Sequence, residues 1–148
     1  MNLVLADFGF AASDQIDCLT SFRGTKTYMA PEISQGRQYD GRKADLFSAG
    51  VVLFILAHGT FPFGEATKND YFYKLIVSGQ HKMYFKSLDG NALSNDFKDL
   101  FLRLVACRSE DRPTISQIKR HPWFTKPFDK TEIRNQLINR WSNNKTID

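Results

Sequence analysis

Along the 148-residue chain the spacing of apolar positions changes from place to place, and those changes divide it into an extended start, a long irregular segment and a series of helices. Leu3, Val4, Leu5 and Ala6 form an apolar run of strand length. Residues 7–29 sustain neither a helical nor a strand period and are rich in Gly, Ser, Thr and Asp, which predicts a long loop. Loops beyond about 12–15 residues inside a compact domain tend to be functional, so chemistry is sought there first. Pro31 suits the first position of a short helix and Gly36 its end. Residues 42–58 are good helix formers that stop at Gly59, with Pro62 beyond. Leu46, Phe47, Val51, Val52, Phe54 and Ile55 make this segment apolar on nearly every side, so it is expected to be a buried central helix.

A shorter amphipathic helix is predicted over 69–78, with Phe72, Leu75 and Ile76 on one face and Gly79 as its stop, followed by a polar loop. Ser94 is placed to cap the next helix, and Asp96 is favourable in its first turn. Phe97, Leu100, Phe101, Leu104 and Val105 then follow the i, i+3, i+4, i+7, i+8 spacing of a core-facing stripe. Thr114 with Gln117 three residues on reads as a capping box for a short helix ending before Pro122. Trp123 and Phe124 are expected to dock behind it. Ile133, Leu137, Ile138 and Trp141 share one face, predicting a tail helix over 131–141, and residues 142–148 are expected to fray. The fold class is therefore mainly α.

Composition narrows the options. One domain fits the length, and 42% hydrophobic with 24% charged residues is ordinary for a globular chain. The net charge of +4 leans weakly towards anionic partners, but no block of five or six like charges marks a nucleic-acid arm. Cys18 and Cys107 are far apart and outside any Cys-x-x-Cys or Cys/His spacing, which suggests neither a disulfide framework nor zinc and favours a reduced, cytoplasmic setting. The start of the chain has no basic region and no cleavage site, so it is read as mid-domain sequence rather than a signal peptide. The longest apolar stretch, 49–57, has nine residues, less than half of a membrane span.

The first motif is Asp7-Phe8-Gly9, at the junction of the apolar run and the long loop. Alone it is weak, because a strand often ends in Asp and Gly for turn reasons. Downstream lies Gly24-Thr25-Lys26-Thr27-Tyr28-Met29-Ala30-Pro31-Glu32, and the pair resembles the bracket of a protein-kinase activation segment. Asp45-Leu46-Phe47-Ser48-Ala49-Gly50 resembles the Asp-x-Trp-Ser-x-Gly that opens the family's central helix, with Phe47 in place of Trp. Gly59-Thr60-Phe61-Pro62-Phe63 resembles the turn that ends it. Arg112-Pro113-Thr114 and His121-Pro122-Trp123-Phe124 are similar to the closing signature of serine/threonine kinases, particularly the calcium/calmodulin-dependent group. The resemblance covers about residues 2–124.

That resemblance implies a partial protein kinase domain over 1–124, with the activation segment at 7–32 and a helical C-terminal lobe at 33–124, followed by a tail helix within 125–148. It implies ATP and Mg²⁺ as cofactors of the parent kinase, and a carboxylate such as Asp7 is the hard oxygen ligand Mg²⁺ prefers. Phe8 is implied as the hinge that sets active or inactive posture, and Gly9 as the residue that lets the backbone turn. Thr25 matches the position that contacts the catalytic-loop Asp and Lys in serine/threonine kinases. Thr20 and Ser21 fall where activation-loop phosphorylation occurs, although two solvated loop hydroxyls are the simpler reading. Glu32 and Arg112 match the buried ion pair that anchors the activation segment, and Asp45 matches the acceptor of catalytic-loop backbone hydrogen bonds.

Several required parts of a kinase are absent from these 148 residues. No Gly-x-Gly occurs, and His58, His81 and His121 are not followed by Arg-Asp. Residues 36–43 imitate a phosphate loop but carry Arg42 where Lys is needed, without the following Ser/Thr or a preceding strand. Arg108-Ser109 replaces the family's usual Asp-Pro, so that turn is expected to pack differently. The isolated chain is expected to bind ATP weakly and not to catalyse transfer. Its expected partners are protein substrates or regulators, with association possible through an exposed apolar face of the lobe. The competing reading is a non-catalytic interaction module.

Overall fold

The computed structural model describes residues 4–9, 11–12, 19, 24–88, 93–127, 131 and 135. Seven α-helices occur among them: α1 (Pro31–Ser34), α2 (Gly41–His58), α3 (Tyr71–Val77), α4 (His81–Lys86), α5 (Asn95–Leu104), α6 (Ile115–Lys119) and α7 (Pro122–Thr125). Two short 3₁₀ helices, Lys26–Tyr28 and Ser109–Asp111, lie between them, and the described residues contain no strand. Leu19 and Tyr39 form a single antiparallel bridge.

Local chemistry sets the helix bounds. Asp40 accepts the Arg42 N–H to start α2, and Gly59, at φ 93°, ends it in the left-handed region that favours glycine. Asp70 caps α3 through the Tyr73 N–H, and Ser94 caps α5 through that of Phe97. Thr114 and Gln117 complete the capping box of α6.

The core forms where α2 crosses α5. Phe47, Val51 and Phe54 from α2 are fully buried together with Phe97, Leu100 and Phe101 from α5. The Phe54 and Phe101 rings lie 4.7 Å apart, and Phe97 stacks on Phe101 with planes only 3° from parallel. Gly50 permits the close approach, since a Cβ there would stand 2.8 Å from Leu104 Cβ. Tyr73, Leu75 and Ile76 of α3 and Tyr84 of α4 close the opposite side.

Five expectations from the sequence are corrected. Residues 4–6 form no strand, and Val4 and Leu5 are 77% and 82% exposed, because the run has no pairing partner among the described residues and so no ladder to join. Helix α2 is buried on one face only, since Val52 and Leu56 point away from α5 and stay exposed. The segment expected to be a polar loop contains α4, which buries Tyr84 and hydrogen-bonds its hydroxyl to the Pro62 carbonyl at 3.1 Å. Trp123 packs edge-on against Phe97, whereas Phe124, next along α7, points outward and is 54% exposed. In α3, Tyr73 joins Leu75 and Ile76 in the core while Phe72 is only half-buried. Of the expected tail helix, Thr131 and Asn135 are helical. The rest of 131–141, and residues 142–148, lie outside the described residues.

Candidate functional site: the activation-segment anchor

Arg112 organises the site. Its side chain is fully buried, a position tolerable only when the guanidinium N–H groups find acceptors, as four of the five do here. Here Nη1 donates to Glu32 Oε1 at 2.6 Å and Nη2 to Oε2 at 2.7 Å, a bidentate fork. Nη1 also donates to the Lys43 carbonyl at 2.9 Å, and Nε to that of Ala106 at 3.0 Å. Lys43 returns the contact, its Nζ donating to the Arg112 carbonyl at 2.7 Å. The guanidinium also lies over the Phe47 ring, 5.0 Å from its centroid, so Phe47 serves this cation as an aromatic face.

Glu32 stands in the first turn of α1, where Pro31 sets the entry and the helix N-terminus favours a carboxylate. Immediately before it, Ser48 Oγ on α2 donates to the Tyr28 carbonyl at 2.8 Å, and Tyr28 packs edge-on against Phe61. The end of the 7–32 segment is thus fixed at three points: Glu32, Tyr28 and the Lys26–Glu65 ion pair at 3.3 Å. Ser48 and Lys43 were not singled out by sequence reasoning. Ser48 sat inside a quoted motif, but nothing in its spacing shows which carbonyl it meets.

The start of that segment is open to solvent. Asp7 takes a left-handed backbone, φ 61°, which Asp tolerates better than most residues, and its Oδ1 accepts the Gly9 N–H at 3.2 Å. The turn continues with the Ala11 N–H donating to the Phe8 carbonyl. Phe8 is 71% exposed and has no ring contact among the described residues. Thr25 is exposed at the N-cap of the first 3₁₀ helix without a side-chain cap bond. No hydrogen bond joins it to Asp7 among the described residues. Thr20 and Ser21 lie outside the described residues.

Asp45, in the second turn of α2, has a carboxylate with no hydrogen-bond partner among the described residues. Despite its exposure, desolvation and then the nearby Asp40 carboxylate hold its carboxyl above the ordinary value. Where the family's Asp-Pro is replaced, Arg108 turns back on the Ser109–Asp111 helix and pairs with Glu110 at 2.7 Å and Asp111 at 3.7 Å. A cleft of about 200 Å³ beside this turn is lined by Arg103, Glu110, Gln117 and His121, and shares no residue with Asp7 or Thr25.

An activation-segment bracket whose Glu32 is clamped by a buried arginine beneath a central helix defines a kinase-type lobe. Residues 1–124 match the family model described as "Protein kinase domain", so the chain belongs to the protein kinase family. It is similar to "Serine/threonine-protein kinase SRK2B" of Arabidopsis thaliana, 36% identical over 137 residues, covering 89% of this chain and 37% of that protein. "Serine/threonine-protein kinase SRK2A" of the same plant is 37% identical over 134 residues, covering 88% and 37%. "Serine/threonine-protein kinase SAPK2" of Oryza sativa subsp. japonica is 34% identical over 134 residues, covering 88% and 39%. The chain therefore spans under two fifths of the length of these curated relatives. Their names carry the serine/threonine class and do not mention calmodulin. No helix among the described residues is long and apolar enough to cross a membrane.

Proposed function

We propose that this chain is the activation segment and helical lobe of a cytoplasmic serine/threonine protein kinase that transfers the γ-phosphoryl group of ATP to Ser or Thr hydroxyls of proteins. The observation that carries this reading is the two-point clamp of Arg112 on Glu32, which ties the end of an Asp7-to-Glu32 segment to the base of the lobe. Within it, Asp7 would offer Mg²⁺ a carboxylate, Gly9 would hold the turn through its N–H to that carboxylate, and Thr25 would select hydroxyl acceptors on Ser or Thr. Thr20 and Ser21 remain the proposed activating phosphorylation sites.

Mg²⁺ supplies charge neutralisation on the nucleotide phosphates when it is bound. The residues present meet that need only in part. Among those described, no group of three or more His, Cys, Asp or Glu could hold a metal ion. Asp7 is one donor, and the sequence has no glycine-rich loop for the phosphates, so no catalytic step is assigned to this chain by itself. The test uses the protein that carries this chain, purified and given γ-labelled ATP and a mixed protein substrate. Label is expected on Ser and Thr but not Tyr, with loss in Asp7→Asn. Label on Tyr, or an unaffected Asp7→Asn variant, would overturn the reading.

A second reading is favoured by one observation: Val52, Leu56 and Phe61 are 45%, 74% and 49% exposed, apolar groups left in solvent that a protein partner would cover. Nucleotide-independent capture of one defined partner by a carrier protein that transfers no phosphate would support an interaction module instead.

A further inference from the structure

His121 stands between α5 and α7 with both ring nitrogens engaged and its side chain only 10% exposed. Nδ1 accepts the Trp123 N–H at 3.2 Å, and Nε2 meets Asp99 Oδ2 at 2.8 Å. These two partners fix the tautomer. A backbone N–H only donates, so Nδ1 must offer its lone pair, and the ring proton then sits on Nε2 and points to the carboxylate. Asp99 receives it as an anion, because the Arg103 hydrogen bond, with that of His121 behind it, outweighs partial burial and holds the Asp99 carboxyl below its ordinary value.

Helix α7 depends on that lone pair. Pro122 has no N–H, so Trp123 carries the first donor of α7, and the His121 ring is its acceptor. Trp123 in turn covers Phe97 edge-on at 5.8 Å, and Lys126, just past the helix, pairs with Asp96. Every charge around the ring comes from a packed neighbour. Asp99 and Arg103 belong to α5, while Glu110, Asp111 and Arg112, from the turn before α6, line the same cleft as His121. Helix α6, packed against α7, brings Lys119 and, at its end, Arg120.

A second proton can enter the ring only at Nδ1. It comes from solvent, turns that nitrogen from acceptor to donor and sets it against the Trp123 N–H, while the Asp99 contact becomes an ion pair. Histidine is the side chain that ordinarily changes charge between about pH 5 and 8.

We propose that His121 is a pH-sensitive latch on α7: neutral, it caps the helix through the Trp123 N–H, and protonated, it gives up the cap for an ion pair with Asp99. The cap is present at higher pH and is lost as pH falls through the titration of the ring. The start of α7, and the Trp123 cover over Phe97, then loosen. No residue of the 7–32 segment takes part, so the latch does not rest on phosphoryl transfer.

The experiment follows the nitrogen-15-labelled 148-residue chain by NMR from about pH 8 to about pH 5. At the upper end the His121 proton is expected on Nε2, with Nδ1 bare. On acidification the Trp123 amide is expected to shift with the same midpoint as the His121 ring. Its solvent exchange, corrected for the intrinsic rate, is expected to rise about fivefold, the usual worth of a lost cap. A proton on Nδ1 at the upper end, or a Trp123 amide that does not follow the ring, would overturn the assignment. His121→Asn keeps a capping side chain that does not titrate, so its Trp123 amide is expected to stay flat over the same range. A response equal to that of the native sequence would overturn the assignment as well. Should His121→Asn not fold, the native titration decides by itself.

Discussion

Arg112 and Glu32, 80 residues apart in sequence, face each other as two parallel hydrogen-bonded contacts of 2.6 and 2.7 Å, with the arginine side chain sealed from solvent. Cutting either partner strands a charge in the interior, which typically costs about 3–5 kcal/mol. Arg112→Ala is therefore expected to lower the melting temperature far more than Lys119→Ala, whose side chain is exposed on α6. Thermal denaturation of the two variants checks this, and equal melting temperatures would count against the anchor.

Gly50 makes a second, separable prediction. Alanine is favoured over glycine inside a helix by about 1 kcal/mol, but a Cβ here would lie 2.8 Å from Leu104 Cβ and 3.1 Å from Val105 Cγ1. Overpacking of this kind costs about 1–3 kcal/mol, so Gly50→Ala is expected to destabilise the chain despite its helix propensity. A urea midpoint above that of the native sequence would show that α2 and α5 are not in close contact.

Two buried tyrosines separate a used hydroxyl from an unused one. Tyr84→Phe removes the bond to the Pro62 carbonyl and is expected to cost about 1–3 kcal/mol. Tyr73→Phe removes a hydroxyl without a hydrogen-bond partner among the described residues, and is expected to leave stability unchanged or raised. Denaturant titration of both variants reads the contrast, which the reverse order would refute.

Asp45 supplies the pH dependence. Its carboxyl, held above the ordinary 3.8 by desolvation and by Asp40, binds its proton more tightly when folded than when unfolded. Its favourable contribution is then complete below the unfolded value and is lost as pH rises through the raised folded value. Asp45→Asn is expected to stabilise the chain at neutral pH, with the gain fading as the pH falls through the raised folded value and gone below the ordinary 3.8. Melting curves across that range decide it, and a variant less stable at neutral pH would contradict the sign.

How far the sequence was legible follows from how local each signal is. The stop at Gly59 and the caps Ser94 and Thr114 are local signals, and the stripe from Phe97 to Val105 repeats over two turns, so α2, α5 and α6 were readable, although the Asp40 cap of α2 was not read. Helix α4 has six residues and a Gln80 N-cap without a side-chain bond, too little period and no start signal. The Arg112–Glu32 pairing followed from family resemblance, since nothing local to either residue names a partner 80 positions away. The contacts of Lys43 and Ser48 depend on side chains meeting across elements, which periodicity does not encode. Phe124 shows the converse: an apolar residue in a family motif was expected to pack, yet burial needs a surface to pack against.

The most direct measurement of the central claim, that these residues form the anchoring half of a kinase domain and not its catalytic half, is γ-phosphoryl transfer by the purified 148-residue chain alone. With labelled ATP, Mg²⁺ and a Ser/Thr protein substrate, the account predicts no transfer above background. Robust turnover by the isolated chain would contradict it.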